Sequence, residues 1–281
     1  MAKEETKNLQ WHPAFYAGIQ IELEEERDKL IFENEHQLST KPLEIDVLII
    51  KKQEGVQIQK NIGRIFRGHY IVEYKSPEDS LNIDDFYKVL GYACFYKSDS
   101  RSVDLIKAEE ITVSFVVKRF PREMIKHLQD TRKLQVVKFD EGIYHISGEL
   151  FPIQIIHTSR LSKENNFWLR NLTNDLRTRE EAKNLLVRYE ERQKENLYQS
   201  MMDIIVKANI ELFEEVDDMC DALMEIVRPK VEAKVKEALQ EGRLMEKSEL
   251  IRKTFAKGMS VEEIAYLFDE PVETFLKLMK A

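Results

Sequence analysis

The run EIDVLIIK at 44–51 constrains this chain more than any other stretch. Four aliphatic residues in succession, Val47 to Ile50, are flanked by charge, and so short a run reads as a strand covered on both faces. Such a strand belongs in the interior of a sheet, with partners at both edges. The flanking sequence supplies them. KLIFENEHQL at 29–38 alternates, with Leu30, Phe32 and Leu38 in one phase. HYIVEYK at 69–75 forms a third strand, ended by Pro77, which cannot donate to a ladder.

Helices bracket these strands. Over 13–28, Phe15, Ile19, Leu23 and Glu26 recur at helical spacing and Pro13 suits a first turn. Glu22 falls on or beside the apolar stripe, where a carboxylate needs a partner, while Glu25 points to water. Residues 84–97 repeat Phe86, Leu90, Ala93 and Tyr96 on one face, with Asp84 or Asp85 as cap. EITVSFVVK at 110–118 is a fourth strand. A helix near 121–130 and strands at 143–147 and 151–157 follow, and from 163 onward the pattern is helical. The expectation is an α/β chain: an αβββαβ core within a domain at 1–160, then an α-helical C-terminal region at 161–281. Within it, 241–281 suggests three short helices with a turn at Gly258, in which Ser260 and Glu263 make a capping box.

Composition narrows the function. The 281 residues are 43% hydrophobic and 33% charged, enough for a packed core, and the net charge is −8, which makes general phosphate affinity unexpected. Two distant cysteines, Cys94 and Cys220, indicate neither a disulfide framework nor a zinc ribbon. The N-terminus is polar, and no apolar run approaches the length of a membrane span, so a cytoplasmic chain without a membrane partner is expected. There is no glycine-rich phosphate loop, G-x-S-x-G or H-E-x-x-H, which argues against a P-loop NTPase, a serine hydrolase and a zinc protease.

The chemistry concentrates in Asp46 and in Glu73-Tyr74-Lys75. Glu73 and Lys75 share a strand face, about 7 Å apart at the strand rise. Asp46 is in phase with Leu48 and Ile50, and a hairpin of strands two and three can set Asp46 beside Glu73. Two carboxylates there repel, and a divalent cation removes the penalty. Mg²⁺ suits two acids plus the Tyr74 backbone carbonyl, with Glu22 as a further acid. Lys75 would hold or help deprotonate water, or steady a phosphate. The segment from Lys51 to Lys75 carries six basic residues against two acidic ones in an acidic chain. Lys51, Lys52, Lys60, Arg64 and Arg67 are therefore candidates for a phosphate partner. Gln154, polar within the apolar strand FPIQIIH, is a further residue that could approach the site.

The run EIDVLIIKK followed by IGRIFRGHYIVEYKSPEDSLNIDDFYKVLGYACFYK resembles the PD-(D/E)XK nuclease superfamily, and more narrowly its Rpn (recombination-promoting nuclease), transposase-like members. The resemblance spans roughly residues 12–160 and continues loosely into GMSVEEIAYLF. It implies a restriction-endonuclease-like αβββαβ core. The family's first acid would be Asp46, in EID rather than a literal Pro-Asp; its E-x-K would be Glu73 and Lys75, and its helix acid Glu22. The activity implied is Mg²⁺-dependent endonucleolytic hydrolysis of DNA, with Mn²⁺ able to substitute, in recombination or defence.

A different class of function competes with this one: an inactive nuclease fold kept to bind nucleic acid or a protein. The helical C-terminal region would then recognise the partner or form a homo-oligomer. From 241 to 281, seven basic residues face eight acidic ones, which suits docking better than DNA reading.

Overall fold

A computed structural model describes residues 9–33, 47–100, 102–214 and 216, with scattered positions from 224 to 263. Strand β1 (Leu30–Glu33), β2 (Val47–Lys52), β3 (His69–Tyr74) and β4 (Ile111–Val117) form one sheet with β5 (Gln135–Asp140), β6 (Ile143–Ser147) and β7 (Ile153–His157). The spatial order is β1-β2-β3-β4-β7-β6-β5. The β3–β4 and β4–β7 pairs are parallel and the rest antiparallel. This is a mixed α/β fold with β3, β4 and β7 at its centre. Helix α1 (Trp11–Glu22) precedes β1, α2 (Ile83–Ser98) joins β3 to β4, and α3 (Arg122–Asp130) joins β4 to β5. The order α, β, β, β, α, β read from the sequence is present.

Alternation along β3 gives the sheet two distinct faces. Ile71 joins Ile49, Val113, Phe115 and Val117 in a core with Phe86, Val89 and Ala93 of α2 and Met124 and Leu128 of α3. Tyr70, Val72 and Tyr74 point the other way, where Phe15 of α1 stacks on Tyr74 at 4.3 Å between ring centroids.

Two boundaries and one strand differ from expectation. The first helix stops at Glu22, and Glu24–Lys29 tightens into a 3-10 helix. That turn lets the buried Glu26 carboxylate accept the N–H of Gln59 at 2.6 Å, a partner far along the chain. Helix α2 is capped by Asn82, not by Asp84 or Asp85. The Asn82 side chain accepts the N–H groups of Asp84 and Asp85, and the Asp85 carboxylate accepts the Asn82 N–H, closing a capping box. Strand β5 has no counterpart in the sequence reading. It is an edge strand with no buried residue, so it lacks the apolar alternation that marks the others.

The first compact unit runs past residue 160, to Leu223, and the second comprises 224–281. Helices α4 (Phe167–Asn171), α5 (Arg179–Glu190), α6 (Asn196–Ala208) and α7 (Ile210–Glu214) belong to the first. Helices α1 and α6 meet at Gly18, where an added Cβ would lie 3.2 Å from the Met201 sulfur. In the second unit the expected capping box is present: Glu263 N–H donates to Ser260 Oγ at 3.2 Å, and Ser260 N–H to Glu263 Oε2 at 2.8 Å. Of the rest of the expected 241–281 unit, Glu249, Ile251 and Lys253 are helical, with Lys253 paired to Glu249 at 2.8 Å, and most other positions, like Cys220, lie outside the described residues. No helix among the described residues is long and apolar enough to cross a membrane.

Candidate functional site

Glu73 and Lys75 meet at the C-terminal end of β3, on the face covered by α2. Lys75 Nζ lies 3.1 Å from Glu73 Oε1 and 2.9 Å from Asp85 Oδ1. Asp85 stands in the first turn of α2, and its other oxygen closes the capping box, so the helix start fixes its position. The lysine is thus held between a strand carboxylate and a helix carboxylate. Lys88, one turn further along α2, adds a second positive charge near Glu73.

Glu73 is 6% exposed. Burial pushes its carboxyl above the usual range, and the Lys75 charge only partly opposes the shift. Burial pulls Lys75 down, but its bond to Asp85 and the Glu73 charge more than offset this, and its affinity for protons rises. Lys75 is therefore a firmly charged ammonium, suited to steadying an anion rather than accepting a proton. Glu73 Oε1 is engaged by Lys75, while Oε2 has no hydrogen bond among the described residues.

Asp46 lies outside the described residues. Its neighbour in the chain, Val47, is the Cα partner of Glu73. The register also places Leu48 opposite Val72 and Ile50 opposite Tyr70, on the face away from Glu73. The phase that the sequence reading gave Asp46, with Leu48 and Ile50, is thus the phase of the α1 face.

Glu22 is not at this site. Its Oε1 accepts the N–H groups of Trp168 and Leu169 at 2.9 and 3.1 Å, at the start of α4, and its Oε2 pairs with Lys60 at 2.8 Å. Helix α1 lies on the Tyr74 face of the sheet, opposite Glu73, and Glu22 stands about 10 Å along the helix axis from Phe15. The inward carboxylate is a structural clamp.

The basic segment is largely spoken for as well. Lys51 pairs with Glu33 at 2.5 Å and Lys60 with Glu22. Lys52 donates to the Val56 carbonyl, Arg64 to that of Gln59 and Arg67 to that of Glu109. Lys52 and Arg64 border a cleft of about 560 Å³, yet their donors close the loop on itself. Gln154 faces away from Glu73: its amide nitrogen donates to the Ile62 carbonyl and the hydroxyls of Tyr70 and Ser114 beneath the α1 layer.

Asp85 was visible in sequence only as a cap residue. Its second role follows from the loop after Pro77, which brings the α2 start back over Lys75, a relation no linear spacing reveals. Among the described residues, no group of three or more His, Cys, Asp or Glu side chains is arranged to hold a metal ion. Comparison with protein families, with curated proteins and with solved structures gives no match for this chain.

Proposed function

We propose that this chain is a metal-dependent nuclease of the PD-(D/E)XK type that hydrolyses DNA phosphodiesters at Glu73 and Lys75. The observation that supports this reading best is the pair itself. A buried carboxylate, one of whose oxygens has no hydrogen bond among the described residues, and a clamped ammonium share one face at the end of β3, within an α, β, β, β, α, β order.

The donor set fits a hard divalent cation in part. Mg²⁺ takes one or two carboxylates together with water and substrate phosphate. Glu73 Oε2, the Tyr74 carbonyl and Asp46 would hold it, and its chemistry would be Lewis-acid polarisation of the phosphate and a lowered water pKa. The raised proton affinity of Glu73 is relieved by a cation at that oxygen. Covalent geometry keeps the Asp46 Cα about 3.8 Å from that of Val47, the residue paired with Glu73. Lys75 then neutralises charge on the phosphoryl oxygens, and Asp85 holds the ammonium in place.

The test is cleavage of supercoiled plasmid and single-stranded DNA in Mg²⁺, then Mn²⁺, with EDTA as control. Asp46→Ala, Glu73→Gln and Lys75→Ala should each lower the rate by at least about 100-fold, the scale of losing a transition-state charge contact. Wild-type protein that is folded yet inert toward every substrate refutes the reading. One observation favours the alternative, a fold that binds without cutting: the Glu22 carboxylate is committed to a clamp.

A further inference from the structure

In the 51–67 segment Lys51 and Lys60 have acidic partners, and Lys52, Arg64 and Arg67 are tied to backbone carbonyls; a second group of cations lies outside that segment. They converge on a cleft of about 550 Å³ between the start of α3 and the ends of β5, β6 and β7. Arg122, Lys138, Arg160 and Arg170 line it against one acid, Glu141. No ion pair involves Arg122, Lys138 or Arg160 among the described residues, and Arg170 donates to the Leu161 carbonyl, which leaves its charge uncompensated. In a chain of net charge −8, this concentration of positive charge makes the cleft attractive to an anionic ligand.

The cleft also has an aromatic wall. Phe120 lies 4.7 Å from the Tyr144 ring and 5.7 Å from the His157 ring, centroid to centroid. Burial, and then the Arg160 charge, lower the proton affinity of His157, so at neutral pH it adds a flat neutral surface beside the arginines. Gly142 forms the floor at φ +71, where a Cβ would come within 2.7 Å of the His157 carbonyl oxygen and the Leu161 nitrogen. Backbone packed this closely fixes the cleft's shape.

Its position links it to Glu73. Tyr74 pairs with Val116, and Val117 with His157, so Lys75, Val117 and His157 fall in one row across the parallel strands. They share the α2 and α3 face by alternation. Two strand spacings, about 10 Å, separate Lys75 from His157.

We infer that this cleft binds the backbone phosphate of a single nucleic-acid strand, with a base against the Phe120–Tyr144 wall, a step or two along the strand from the bond at Lys75. The choice of nucleic acid rests on the proposed function; the anionic character of the ligand rests on the unpaired cations alone. Cations tracking a backbone beside aromatic rings are the combination that single strands favour.

The experiment is fluorescence anisotropy of a labelled oligothymidylate with the full chain in EDTA, as a function of salt. Comparison is with Arg122→Ala/Arg160→Ala, with Arg122→Lys/Arg160→Lys and, as control, with Arg64→Ala/Arg67→Ala. The alanine pair should weaken binding about tenfold or more and reduce the salt slope by about 1.4, for two phosphates contacted on a single strand. The lysine pair should keep the slope, and the control should keep the affinity. An unchanged affinity and slope in the alanine pair, or an equal loss in the control, overturns the inference. So does thymidine monophosphate or inorganic phosphate displacing the oligomer at a concentration equal to its own. The two readings fail separately. Wild-type cleavage with unaltered binding by the alanine pair removes only the cleft; loss of binding in that pair, with no cleavage by wild type, removes only the catalytic reading.

Discussion

Asp85 accepts from Lys75 through one oxygen and from the Asn82 N–H through the other, so the residue that starts α2 also holds the ammonium at the end of β3. The helix start and the candidate site cannot be altered independently. Asp85→Asn keeps a capping acceptor and removes the charge. It should lower cleavage about 10-fold or more while costing under about 1 kcal/mol of stability. Plasmid cleavage and denaturant melts of this variant check both parts.

Glu73 makes stability depend on pH. Its folded-state proton affinity is raised, by burial against the pull of Lys75 and Lys88 and with the help of Asp85. The stabilising contribution is then present below the ordinary glutamate pKa and is lost as pH rises through the folded-state value. Glu73→Gln should therefore be more stable than wild type at neutral pH, by about 1 kcal/mol or roughly 2–4 °C. The gap should close as the medium is acidified below the ordinary value. Thermal melts across that range would show a constant gap if the carboxyl is unperturbed.

A cation at Glu73 Oε2 would act on the same balance. Millimolar Mg²⁺ or Mn²⁺ should stabilise the wild type, by up to about 2.7 kcal/mol at a hundredfold excess over Kd, and raise its melting temperature. It should leave Glu73→Gln and Asp46→Ala where they are. An identical shift in all three proteins would place the bound ion elsewhere.

Glu22 separates architecture from chemistry. Glu22→Ala leaves Lys60 without its acid and the Trp168 and Leu169 N–H groups without an acceptor, a loss of about 3 kcal/mol or more. Glu22→Gln keeps a carbonyl oxygen that can accept both of those N–H groups and should retain cleavage within a few-fold of wild type. A folded Glu22→Gln protein with cleavage down 100-fold would return this residue to the metal.

Gln154 should behave as a structural hub. Gln154→Leu leaves the Tyr70 hydroxyl and the Ile62 carbonyl without their shared donor in a buried setting, for about 2–3 kcal/mol. Urea denaturation measures this directly.

The sheet was legible because burial writes itself into sequence. Val47 to Ile50, the alternation of 69–75 and the stripe of Phe86, Ala93 and Tyr96 each state which side meets the core. Glu73 and Lys75 were legible for the same reason, since two residues apart on a strand means one face. Beyond that, pattern fails in identifiable ways. Strand β5 buries nothing, so it leaves no periodic trace. Glu22 and Glu26 were read as inward-facing acids, but their partners at Trp168 and Gln59 are set by tertiary packing. The six basic residues from Lys51 to Lys75 looked like a patch because they are close in sequence. Arg122, Lys138, Arg160 and Arg170 did not, because four different segments carry them.

The bond between Glu22 and the start of α4 joins residues 146 positions apart in sequence. Closing so long a loop is entropically slow, and neither end is satisfied until it closes. The sheet layer and helices α4 to α7 are therefore expected to fold together, within the first compact unit. A polypeptide ending at 160 would expose the Gly18 side of α1 and leave the Glu22 charge with Lys60 alone, so it should collapse without reaching a unique packed state. During synthesis, this places completion of the first unit after α6 has left the ribosome, however early the strands begin to pair.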